Sequence, residues 1–176
     1  MYTYIKSKYW IHWGLSLTAV LLVGVAMTQF AALEVHNLIQ IEFAKTADEL
    51  AQLLQPYSNT TVLYYNTLTD FIFIITYTLL FYYSGRILCD LLEFTRTRWL
   101  LLLLLPASLD VAENLLLLEM LSTVPHDYSS FCFFYWAVRL KWLLVIPGML
   151  LALVVLLFQA YVGVDRVYCW WKSSGQ

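Results

Sequence analysis

The chain has 176 residues, of which 61% are hydrophobic and only 12% charged, about half the charged fraction of an ordinary soluble domain. The apolar residues come in long runs, which excludes a soluble globular domain and points to an integral membrane protein. A net charge of −2 with no basic patch excludes nucleic-acid binding, and three scattered cysteines with three scattered histidines give neither metal-ligand spacing nor a cofactor motif.

Four segments can cross a hydrocarbon core of about 30 Å, which takes about 20 helical residues each. The first covers residues 10–30, with Trp10 and Trp13 at its start in the position of an interfacial aromatic belt. Lys6 and Lys8 ahead of it also fit the start of a signal peptide. The span's length, its tryptophan pair and the lack of a clean A-x-A site favour a retained anchor.

The loop that follows, residues 31–61, is patterned. In "TADELAQLLQP" Thr46 and Glu49 have the spacing of a capping box, Leu50, Leu53 and Leu54 share one face, and Pro56 stops the run. The preceding "LEVHNLIQIEFAK" alternates at near-helical spacing. Together they predict an amphipathic helix on the outer membrane surface, broken near Lys45–Thr46, that serves as a cover or a gate. Asn59-Thr60-Thr61 is formally a glycosylation sequon, a short pattern without meaning in a bacterium.

The second span, residues 62–83, carries Asn66, Asp70 and Tyr77 on a shared face. The third, residues 99–121, holds Asp110, Glu113 and Asn114 at i, i+3 and i+4, again one face, with Pro106 a turn before them. The fourth lies within residues 131–164, with its membrane part at 135–163. Its two cations, Arg139 and Lys141, are two residues and so about 200° apart, and only one of them can face a bundle. Pro147-Gly148 predicts a kink.

Seven of the ten basic residues fall on one side of these spans: Lys6, Lys8, Arg86, Arg96, Arg98, Arg166 and Lys172. The positive-inside rule then puts both termini and the 84–98 loop in the cytoplasm. In that frame Asp70, Glu113 and Arg139 each lie eight residues from an outer helix end, a depth of about 12 Å. Asp110 and Lys141 are close to the same level. An isolated charge in the bilayer costs about 2.5–3.5 kcal/mol or more, so the economical arrangement is a shared polar layer in which a cation offsets part of the acid.

These pieces together resemble a functionally uncharacterised family of small four-helix bacterial inner-membrane proteins. The resemblance is carried by "IEFAKTADELAQLL" after the first span, "TDFIFIITY" in the second, "LDVAENLLL" in the third and "RLKWLL" in the fourth, in order over residues 41–144. The Asp-x-x-Glu-Asn step and the later Lys-Trp are its specific parts. It implies that Glu42, Thr46, Asp70, Tyr77, Asp110, Glu113, Asn114 and Lys141 are the positions of interest, with Lys141 rather than Arg139 facing inward. Ile74 stands where such sequences tend to have proline, which implies a straighter second span here.

The expectation is an all-α polytopic membrane protein, a four-transmembrane-helix bundle with an amphipathic helix in its outer loop and a single domain over residues 1–176. The leading functional expectation is an acidic intramembrane pocket, open to the outer leaflet, that binds a lipid or other apolar small molecule. Two alternatives stand beside it: charges that only fix helix register, and a membrane-embedded acid–base enzyme acting on a lipid or isoprenoid.

Overall fold

The structure is a computed structural model that describes the backbone of residues 9–30, 35–57, 61–94, 98–122 and 129–174. It describes the side chains of residues 9–28, 37–57, 61, 64–94, 98–122 and 129–162. Among these residues there is no strand, and the chain is an all-α four-helix bundle with short helices on one end. The helices are α1 (Trp10–Phe30), α2 (Val35–Glu42), α3 (Ala47–Leu54), α4 (Thr61–Leu91), α5 (Leu105–Ser122) and α6 (Phe131–Ser174).

Four segments are long and apolar enough to cross a membrane: Trp10–Thr28, Tyr64–Leu91, Arg98–Ser122 and Phe131–Val162. Their outward aliphatic side chains, such as Leu22, Ile75, Leu102 and Leu143, are exposed as lipid-facing residues would be. Two boundaries differ from the sequence reading. The second span continues helically to Leu91, so most of the expected 84–98 loop is the end of α4. The fourth is one 44-residue helix, about 66 Å long, which passes beyond any bilayer. Lys6, Lys8, Arg96 and the sequon's Asn59 lie outside the described residues, as do the side chains of Arg166 and Lys172.

The α4 helix is central and packs against α1, α5 and α6, while α5 and α6 pack on each other. Trp13 corrects the belt expectation: it is buried against Leu80, Ile87 and Val155, and its indole donates to Ser84 Oγ at 2.9 Å. A tryptophan one helical turn inside the end turns inward because its N–H finds a buried acceptor there.

The third span begins as a 3₁₀ segment, Arg98–Leu104, before α5 takes over at Leu105. That segment lies against Gly85 of α4, where any side chain would collide with Leu100 and Leu103. Pro106 therefore falls in the first turn of α5, at the junction of the two helix types, a position proline tolerates.

At Pro147-Gly148 the helix remains continuous. Gly148 lies directly against α4: a Cβ there would stand 2.6 Å from the Phe81 ring. Phe81 is itself buried with Ile74 and Tyr77 and has no space to yield. Alanine in place of helical glycine would ordinarily gain up to about 1 kcal/mol. Overpacking against a trapped ring costs about 1–3 kcal/mol, so Gly148→Ala is expected to be net destabilising. Unfolding midpoints in detergent check this, and Phe81→Leu added to Gly148→Ala should recover most of the loss.

Candidate functional site

The outer-loop helices follow from local chemistry. Thr46 caps α3: its hydroxyl accepts from the Glu49 N–H at 3.1 Å, while the Glu49 carboxylate accepts from the Lys45 N–H at 2.8 Å. The expected capping box is thus present, with its return leg on the residue before the cap. The break between α2 and α3 lets both turn an apolar face inward. Ile41, Ala44, Leu50 and Leu54 are buried against Leu117 and Met120 of α5 and Phe134 and Val138 of α6. The pair is docked on the bundle, and the end of α2 delivers Glu42 to it.

Glu42 completes a polar cluster built from four helices. Lys141 of α6 sits at its centre, with Nζ 3.3 Å from Glu42 Oε1, 3.2 Å from Asp110 Oδ1 and 2.6 Å from Glu113 Oε2. The first two contacts are hydrogen bonds. The third is an ion pair outside hydrogen-bond geometry, which leaves buried Glu113 Oε2 without a hydrogen-bond donor. Asp110 Oδ2 accepts from the Tyr77 hydroxyl of α4 at 2.9 Å, and Glu42 Oε2 accepts from the Trp142 indole at 2.7 Å. Beside this core, Asn114 donates to Asp70 Oδ2 at 2.6 Å, joining α5 to α4.

Seven of the eight positions singled out by sequence therefore meet: Glu42, Asp70, Tyr77, Asp110, Glu113, Asn114 and Lys141. Thr46 does not join them. It is exposed, and its hydroxyl is engaged in capping. Trp142 belongs to the cluster and was missed as a site residue, because a tryptophan in a span reads as a lipid-facing anchor. The available signal was its place beside Lys141, 100° around the helix and so able to reach a neighbouring wall.

Burial decides what the cluster can do in this conformation. The side chains of Lys141, Asp110 and Glu113 are 6%, 9% and 5% exposed, whereas Glu42 keeps 26%. Asp110 and Glu113 are enclosed, whereas Asp70 and Glu42 are only half-buried. A groove of about 510 Å³ does follow the seam between α5 and α6, lined by Leu109, Ala112, Leu115, Leu116, Phe133, Ala137 and Leu140. It contains none of the cluster's polar groups. Among the described residues no group of His, Cys, Asp or Glu is arranged to hold a metal ion.

Three carboxyl groups thus surround one ammonium, and a fourth, Asp70, stands beside them on Asn114. A single lysine offsets one unit of charge, so the cluster holds more carboxyl groups than its cation neutralises. No family model, no curated protein and no solved structure matches the chain.

Proposed function

We propose that this chain is a bacterial inner-membrane protein with both termini in the cytoplasm, whose polar cluster is a covered binding site. Its ligand is a lipid or other apolar molecule with a hydrogen-bond-donating or cationic end. The observation that carries the reading is the excess of acid: Glu42, Asp70, Asp110 and Glu113 against Lys141 alone. Fixing helix register needs one ion pair, and each added buried carboxylate costs desolvation that register alone does not repay.

In this reading α2 and α3 are the cover. Glu42 is the cluster's only acid outside the spans and its most accessible member of the Lys141 group, so it is the latch that release of the cover would withdraw. The distribution of basic residues supports the orientation, with the cover on the outer side.

A second reading is favoured by a specific observation: each of the four carboxyl groups has a protein partner, and two of the three carboxylates on Lys141 Nζ, those of Asp110 and Glu113, come from α5 within the bundle. In that reading the cluster locks α4, α5 and α6 in register and binds nothing.

Photolabelling separates the two. Protein in lipid nanodiscs is exposed to a diazirine-bearing long-chain amine and to the matching alcohol, and labelled peptides are mapped. Binding predicts labelling concentrated on α5 around residues 109–116, reduced several-fold by Asp110→Asn and increased by Glu42→Gln. Labelling spread evenly over the lipid-facing leucines, and indifferent to both substitutions, would leave the register reading.

A further inference from the structure

We propose that Arg139 forms a second, independent site, which binds the phosphate of an anionic glycerophospholipid in the leaflet at the N-terminal end of α6. Cys132, Trp136, Arg139 and Leu143 are spaced i, i+4, i+7 and i+11 and so form one stripe along the helix. Three of the four, Cys132, Trp136 and Leu143, are exposed, which makes the stripe a lipid-facing one. Lys141 is on the opposite side of the helix, inside the cluster, so Arg139 plays no part in the site described above.

Among the described residues no carboxylate pairs with Arg139. Its guanidinium stacks on the Tyr135 ring, 3.2 Å from the ring centroid, and Nη1 donates to the Tyr135 carbonyl at 3.2 Å. Both contacts draw the charged group back toward the start of α6. The Arg139 backbone is eight residues from Phe131, about 12 Å down the helix, and the Tyr135 carbonyl is about 6 Å nearer the end. An arginine of this kind carries its charge to the level of the headgroups while its stem lies along lipid.

Two contacts leave part of a five-donor fork unused. No further protein acceptor holds those donors among the described residues, and the stripe that carries them is lipid-facing, where a guanidinium can hold a lipid phosphate with two parallel N–H···O bonds. Stacking on Tyr135 fixes the plane of the fork, so the arginine is oriented before a lipid arrives.

Native mass spectrometry of the full chain, released from nanodiscs of mixed phosphatidylglycerol and phosphatidylcholine, tests this. The unaltered protein should retain phosphatidylglycerol preferentially. Arg139→Gln should lower that retention several-fold, and Arg139→Lys should restore it only in part, since a point charge replaces a fork. Inorganic phosphate at millimolar concentration should not displace the lipid. Equal retention in Arg139→Gln, or displacement by inorganic phosphate, overturns the proposal, the latter in favour of a free-phosphate site. Arg139→Lys keeps the charge and the stem, so a loss seen in Arg139→Gln but repaired there cannot be ascribed to misfolding.

Discussion

Replacing Lys141 with methionine is expected to destabilise the folded protein by about 3–5 kcal/mol, the cost of leaving buried charge without its partner. Lys141 Nζ is the shared contact of Glu42, Asp110 and Glu113, and no other cation among the described residues is paired with any of them. For a chain of this length each kcal/mol moves the unfolding midpoint by about 2–4 °C, so the midpoint in detergent should fall by about 10 °C. Arg139→Gln is the control. Its polar contacts among the described residues are both to Tyr135, and it should shift stability by no more than about 0.5 kcal/mol. A Lys141→Met protein as stable as the parent would mean that the cluster does not form.

The same position separates a site from a lock. Removing Lys141 together with its buried α5 partners, with Tyr77→Phe, Asp110→Leu, Glu113→Met and Lys141→Met, eliminates the most buried of the unpaired groups that make the single change costly and leaves Glu42 on Trp142 and Asp70 on Asn114. Buried ion pairs replaced by apolar residues of similar volume are often neutral or stabilising. Recovery of stability is therefore expected in either reading. What differs is the labelling by the long-chain amine: a binding site loses it, and a lock has none to lose.

How much of this was legible depends on which residues carried a period. Asp110, Glu113 and Asn114 at i, i+3 and i+4 had to share a face, and apolar surroundings left that face only the bundle interior. The choice of Lys141 over Arg139 was different in kind. Geometry excluded both facing inward, but the resemblance named which one did. Glu42 illustrates the limit most clearly. On the sequence it is one acid among several in a polar loop, and nothing in its spacing tells that the end of α2 folds down on Lys141. That contact depends on where Leu50 and Leu54 dock, a tertiary fact. The 3₁₀ start of the third span was equally hidden. A run of leucines is compatible with either helix type, and the close packing of Leu100 and Leu103 on Gly85 selects the tighter one.

Leu50→Ala is expected to loosen the cover specifically. Leu50 is 0% exposed, and its neighbours Ile41, Leu54, Met120 and Phe134 are nearly as enclosed, so truncation leaves a cavity worth about 2–5 kcal/mol. The consequence should be local. The α2–α3 pair is joined to the bundle by one apolar cluster and by Glu42, whereas α4, α5 and α6 are held together along their lengths. A unit attached in this way opens sub-globally, at a free energy below that of complete unfolding. Amide hydrogen exchange should therefore accelerate by two or more orders of magnitude over residues 37–57 while protection in α4–α6 is unchanged, since each 1.4 kcal/mol is about tenfold in the opening constant. Gln52→Ala, on the exposed face of α3, should do neither. If exchange instead rises in parallel throughout the spans, α2 and α3 are part of the bundle's cooperative core. A cover that cannot lift without unfolding the protein cannot admit a ligand, and the Lys141 cluster would then be a lock.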